Sequence, residues 1–164
     1  MTSNCVVLKG NLKVQVRWAR TEDAPKIARL ELDSSRFENR AVPFMFSHQQ
    51  FTSLWEHRLD VENYKTVLAC GAKTLYGFIT FKDKIESGRI LALYIDPHYM
   101  RHGIGRLLLQ TAEEMVRIKG GESLEVDVEV LNNGAIEFYR SLHFKKVSVK
   151  LDHLIVMRKE LHNA

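Results

Sequence analysis

Several features that would narrow a function quickly are missing from this 164-residue chain. It has two cysteines, Cys5 and Cys70. That is too few for a disulfide framework, and Cys70 ends an apolar run where a buried, reduced thiol is expected. Its three prolines and nine glycines never gather into a linker, so nothing divides residues 1–164 into separate domains. No apolar run approaches the about 20 residues of a membrane span, and the start lacks the continuous apolar segment of a secretion signal. The chain therefore reads as cytoplasmic, with no membrane attachment. Seven histidines are scattered without an i, i+4 pair and a third ligand, so no metal is expected. Internal repeats and low-complexity tracts are absent too.

What is present describes an ordinary globular protein. The chain is 45% hydrophobic and 27% charged, which leaves disorder expected only in the first ten and the last few residues. A net charge of +4 could serve a nucleic acid, but basic and acidic residues are interleaved, so the sequence gives little for that reading. An anionic cofactor accounts for the same bias.

Patterning gives the elements. Val14 to Ala19 reads as a strand, and Thr21 as the N-cap of a helix that carries Ile27, Leu30 and Asp33. A loop rich in Phe and Arg, residues 36–46, has the character of a lid or wall, and Ser47 opens a second helix through Leu59. Strands follow at Lys65–Cys70, Thr74–Lys82 and Arg89–Ile95. Ile104, Leu107, Leu108, Ala112 and Met115 recur at helical spacing, with Glu113 and Arg117 expected as an outer-face pair. Leu124 to Val130 alternates strictly, placing Glu125, Asp127 and Glu129 on one face. Three carboxylates cannot lie bare in an apolar core, so that face is expected to meet water or a hydrated cleft. A helix from Asn133 to Leu142 and strands Lys145–Lys150 and Leu154–Arg158 close a mixed α/β or α+β domain of about seven strands and about four helices.

The densest chemistry lies in Met100-Arg101-His102-Gly103-Ile104-Gly105-Arg106, between a strand and a helix. A glycine turn there leaves backbone N–H groups unpaired at the positive end of a helix, open to a phosphate. The common nucleotide signatures do not fit. A P-loop needs Lys and Ser or Thr after its last glycine, where Arg106-Leu107 stand. A dinucleotide fingerprint needs a third glycine, although Glu125 lies at a suggestive distance from the two present.

Downstream, Val128, Asn132, Ala135, Phe138, Tyr139 and Phe144 fall in register with V-x-x-x-N-x-x-A-x-x-F-Y-x-x-x-G-F. This resembles the closing motif of the GNAT superfamily of acyl-CoA-dependent N-acetyltransferases. Met100 to Gly105 resembles that family's pyrophosphate loop, [QR]-x-x-G-x-[GA]. The resemblance covers about Val14 to Leu161, with two departures: Met100 replaces Gln or Arg, and His143 replaces Gly. Arg101, His102 and Arg106 offer compensating charge.

The resemblance implies the GNAT fold, a mixed, largely antiparallel sheet splayed between its fourth and fifth strands to admit the pantetheine arm. It implies acetyl-CoA as acyl donor, held by the backbone of Leu93, Tyr94 and Ile95, by the loop from Arg101 through Ile104 and Gly105 to Arg106, and by Asn132. Tyr139 matches the family's general acid, whose ordinary pKa near 10 suits donation to a thiolate. Its bland alternative is an aromatic packed in the core. Histone-type members carry a base near the start of the fourth strand, where this chain has Arg89. Alignment to acetyltransferases of ribosomal proteins gives Asp127 as base, with Glu125 the runner-up. A non-catalytic acyl-CoA sensor is the alternative that the two departures allow. The acceptor amine is not encoded in any motif. The acidic strand face favours a cationic one, and dimers are frequent in such folds.

Overall fold

In the computed structural model, residues 4–37, 46–61 and 63–161 are described. The strands are β1 Asn4–Leu8, β2 Leu12–Trp18, β3 Lys65–Cys70, β4 Leu75–Asp83, β5 Ser87–Ile95, β6 Ser123–Glu129, β7 Lys145–Lys150 and β8 Leu154–Glu160. The helices are α1 Ala24–Phe37, α2 His48–Asp60, α3 Ile104–Ile118 and α4 Asn133–Ser141. The eight strands follow the order β1-β2-β3-β4-β5-β6-β8-β7. This is the expected mixed α+β, largely antiparallel architecture, with one strand more than the sequence indicated.

The additional strand lies where disorder was expected. Val6, Val7 and Leu8 run into Gly10 (φ 74) and Asn11 (φ 60), two left-handed residues that reverse the chain. β1 then pairs antiparallel with β2, from Asn4↔Val16 to Leu8↔Leu12.

The chain divides into two compact units, Met1–Thr80 with Ala92–Leu109, and Phe81–Leu91 with Gln110–Ala164. In the first, Ile27, Leu30 and Leu32 of α1 bury against Phe51 and Trp55 of α2 and Leu68 and Phe78 of the sheet. Trp55 meets Phe78 edge-on at 5.1 Å between ring centres, and its indole N–H donates to the buried Glu31 carboxylate at 2.7 Å. Buried aromatic N–H groups need such a partner. Ser47 begins α2 as expected, through a reciprocal capping box with Gln50.

The start of α1 differs from the reading that made Thr21 its cap. Residues Thr21–Asp23 form a 3-10 turn, and the Asp23 carboxylate accepts from the Arg20 N–H at 2.8 Å. The Arg17 guanidinium takes both Asp23 oxygens, at 2.7 and 2.8 Å, and holds that carboxyl below its ordinary range. A carboxylate three residues along can reach back and satisfy the entry amides, so a hydroxyl is not needed there.

In the second unit, the expected Glu113–Arg117 surface pair does not form. Glu113 is buried and accepts from Lys159 Nζ at 2.7 Å, while Arg117 pairs with Glu114. The buried stripe of α3 runs Ile104, Leu108, Leu109, Ala112, Val116, one position round from the one expected, and Glu113 falls on it. Of the lid expected at residues 36–46, most lies outside the described residues. Phe37 ends α1, and Phe46 rests 6.1 Å from the Phe51 ring.

Candidate functional site

Of the two glycines in the turn into α3, Gly103 is left-handed and Gly105 already lies in the helix. Asp96 caps a 3-10 turn over Pro97–Tyr99, its carboxylate accepting from the His98 N–H at 2.9 Å. Arg101 (φ 66) and Gly103 (φ 94) then both take left-handed conformations. Alternation of hand over so few residues turns N–H groups into an anion-holding concavity. A Cβ built on Gly103 would meet nothing within 4 Å, so the space over it is open. Leu107 makes the first helical hydrogen bond, its N–H donating to the Gly103 carbonyl at 3.0 Å. The N–H groups of Ile104, Gly105 and Arg106, in the first turn, have no acceptor within the helix.

The side chains of the loop divide their tasks. Arg101 and Arg106 are exposed. His102 faces inward, its Nδ1 3.1 Å from the Tyr99 carbonyl and 3.0 Å from that of Met100. Both partners can only accept, so Nδ1 carries the hydrogen. His102 thus helps fix the loop.

The neighbouring end of β5 is tightly set. The Tyr94 ring lies 5.6 Å from that of Phe78, tilted by 38°, and the Ile95 carbonyl accepts from Ser34 Oγ at 3.4 Å. A Cβ on Gly77 would lie 2.8 Å from the Tyr94 carbonyl and 2.7 Å from Ile95 Cδ1, so only glycine lets β4 lie this close. The sequence reading passed over Gly77; a lone glycine inside an apolar strand was the available sign. β5 pairs parallel with β6 from Ser87↔Ser123 to Ile90↔Val126, whereas β5 continues to Ile95 and β6 to Glu129.

Also in the first unit is an open groove of about 870 Å³, bordered by Lys26, Arg29 and Asp33 of α1 with Lys73, Asp96 and His98. It contains none of the residues that the sequence marked for chemistry.

The acidic face of β6, in the second unit, is not bare. Arg89 of β5 donates through one terminal nitrogen to Glu125 at 2.8 Å and through the other to Asp127 at 2.7 Å. Arg158 of β8 holds the second Glu125 oxygen, its Nε at 2.8 Å, and Lys150 of β7 lies 3.3 Å from the second Asp127 oxygen. Burial pushes the Asp127 carboxyl up, but Arg89 and Lys150 outweigh it and hold the group below its ordinary value. Glu125 in turn raises the Arg158 guanidinium. The expected hydrated acidic face is, at Glu125 and Asp127, a lattice of two carboxylates and three cations.

Asn132 caps α4, its side-chain oxygen accepting from the Ala135 N–H at 3.0 Å. Tyr139 is buried, its ring 5.2 Å from those of both Phe138 and Phe144. The helix ends in a Schellman motif: the Phe144 N–H donates to the Tyr139 carbonyl and the His143 N–H to that of Arg140, each at 3.0 Å. His143 supplies the left-handed residue this needs, at φ 70, a place usually given to glycine.

The model of the acetyltransferase (GNAT) family matches residues 17–144. The chain belongs to the GNAT acetyltransferase family. Among its relatives, the [ribosomal protein bS18]-alanine N-acetyltransferase of Escherichia coli K12 is 25% identical over 116 residues, 71% of this chain and 75% of that protein. An uncharacterized N-acetyltransferase of Methanocaldococcus jannaschii is 37% identical over 67 residues, 41% of this chain but only 30% of that protein. In fold, the chain is similar to the PaiA N-acetyltransferase of Thermoplasma acidophilum, solved in complex with coenzyme A. The TM-score is 0.73 at 22% identity, over 91% of this chain and 99% of that one. No helix among the described residues of this GNAT chain is long and apolar enough to cross a membrane.

Proposed function

We propose that this chain is an N-acetyltransferase that moves an acetyl group from acetyl-CoA to a primary amine by direct attack, without an acyl-enzyme. The head of α3 carries the reading: Gly103 at φ 94 with open space over it, followed by the first-turn amides of Ile104, Gly105 and Arg106. A Cβ there would project into the space a pyrophosphate needs, so the loop fits the donor. On this reading the amides from Arg101 to Arg106 hold the pyrophosphate, and the charges of Arg101 and Arg106 stand in for the family's Gln or Arg at Met100. The backbone of Leu93 to Ile95 pairs with the pantetheine and the acetyl oxygen, and Asn132 contacts the arm.

The chemistry then asks little of side chains. The amine lone pair forms the C–N bond at the thioester carbonyl carbon, and the C–S bond breaks with its electrons passing to sulfur. Tyr139 gives the thiolate its proton. Asp127, with Glu125 as the runner-up, accepts the proton the amine sheds, and solvent restores both groups. Positioning supplies much of the acceleration, and an acid and base in place add about 10²- to 10⁴-fold. The relative named for acetylating a ribosomal-protein alanine supports a primary amine as acceptor.

Calorimetric titration with acetyl-CoA, beside dephospho-CoA and NADH, tests the reading. Micromolar, selective binding followed by transfer in a panel of amines is the expected result; no binding overturns it. Selective binding with no transfer to any amine would favour the sensor. Its footing in the His143 departure is reduced, since His143 keeps the left-handed helix end.

A further inference from the structure

We propose that Arg89 is a positioning residue for acetyl transfer: its guanidinium holds the Glu125 and Asp127 carboxylates side by side and so orients Asp127 as the proton acceptor. The proposal rests on the assignment of Asp127 as base.

The geometry explains why an arginine is needed. Glu125 and Asp127 are two residues apart on one face of β6, which separates their Cα atoms by about 6.5 Å. Side by side and unpaired, the two carboxylates would repel each other and turn apart. Arg89 lies directly across from Glu125 in the parallel register, Arg89↔Glu125. Its two terminal nitrogens reach the two carboxylates at 2.8 and 2.7 Å, with the side chain 34% exposed against 17% for Glu125 and 25% for Asp127. A planar fork with donors pointing two ways can span such a pair, whereas an ammonium is a single point of charge. Of the two carboxylates, Arg158 pairs with Glu125 and Lys150 with Asp127, so neither bridges them as Arg89 does. The same face also presents Glu129 of β6, Glu160 of β8 and Lys145 of β7, as the registers Glu129↔Leu154, Ser123↔Glu160 and Lys145↔Arg158 place them.

The consequence for chemistry has a definite sign. Arg89 favours the charged form of Asp127, so removing it raises the Asp127 pKa, and the base is lost to protonation at a higher pH. The acid limb of kcat/KM should then move upward in pH. Lysine at position 89 keeps a charge but not the fork, so it should restore the limb only in part.

The experiment pairs two readouts in wild type, Arg89→Gln and Arg89→Lys. One is the carbon NMR titration of protein labelled at the aspartate carboxyl carbon, with Asp127→Asn to assign the signal. The other is the pH profile of kcat/KM with an amine acceptor found in the panel. Expected is a rise of about one pH unit or more in the Asp127 midpoint of Arg89→Gln, an equal rise in the acid limb, and intermediate values in Arg89→Lys. A midpoint that does not move means the bridge is not made, and a midpoint that moves without the limb means Asp127 does not govern transfer; either overturns the proposal. The carboxyl titration needs no turnover. If wild type binds acetyl-CoA but transfers to no amine, the catalytic reading fails and this role with it, while the titration still shows whether Arg89 holds Asp127. Should Arg89→Gln not fold, Arg89→Lys against wild type carries both comparisons.

Discussion

The turn at the head of α3 and the acidic face of β6 were both marked for chemistry by short sequence patterns, yet they are built in opposite ways. At the turn, the main chain does the work, through left-handed φ values at Arg101 and Gly103 and the amides that follow. On β6 the side chains do it, and their partners Arg89, Lys150 and Arg158 come from three other strands. A main-chain site can be read in part from its own residues, since Gly103 marks where φ is free, although no glycine announces the left-handed Arg101. A side-chain site depends on register between strands 23 to 38 residues apart in sequence, which no local pattern encodes.

The largest effect expected is at Tyr139, where a side chain is asked to act alone. Tyr139→Phe keeps the ring and its contacts with Phe138 and Phe144 and removes only the hydroxyl. Turnover should fall about 100-fold, the lower end of what one positioned acid contributes, with a much smaller change in the KM for acetyl-CoA. Steady-state kinetics decide it, and unchanged turnover would return Tyr139 to a packing role.

Next comes an ion pair of the kind that sequence reading misplaces. Lys159→Met leaves Glu113, 8% exposed, without the cation that satisfies it. Breaking a buried pair costs 3–5 kcal/mol, but Lys159 is 20% exposed, so about 2 kcal/mol is expected, read as a shift in the denaturant midpoint. A loss under about 0.5 kcal/mol would make the pair equivalent to a surface one.

The main-chain site is probed by Gly103→Ala. Since the added Cβ has no protein atom within 4 Å, the stability cost reflects the φ of 94 alone and should be about 1 kcal/mol. Acetyl-CoA affinity should fall further, about tenfold, because the methyl occupies the space above the turn. Equal affinity for the variant and wild type would mean that the anion does not approach this residue.

How far the chain could be read from its residues follows the same division. Ser47 announced the start of α2, where the structure adds its reciprocal cap with Gln50, and the alternation from Leu124 to Val130 gave β6, because both are local signals. Thr21 misled because Asp23, two residues on, could reach back and do the capping while Arg17 held it. Glu113 misled because a helix with several apolar residues per turn allows neighbouring choices of buried stripe, and its partner Lys159 lies 46 residues on, in β8. Arg89 was noticed as a departure from a family pattern, but its partners became visible only with the register of β5 on β6. Gly10 and Asn11 between two apolar runs were a hairpin sign left unused.

His143 offers the finest test, since it is a main-chain position filled by the less suitable residue. Its φ of 70 completes the Schellman end of α4, in which the Phe144 and His143 amides each donate at 3.0 Å. An L-residue with a Cβ pays about 1 kcal/mol in this conformation that glycine does not, while glycine leaves the unfolded chain more entropy to lose. The histidine is exposed, so its removal sacrifices no buried contact. His143→Gly should therefore raise stability by no more than about 0.5 kcal/mol and leave acetyl-CoA affinity unchanged. Thermal or chemical unfolding measures the first and calorimetry the second. A destabilised variant would show that the imidazole contributes something beyond the turn it occupies, and would make the departure from glycine at this position a feature of this chain's own function.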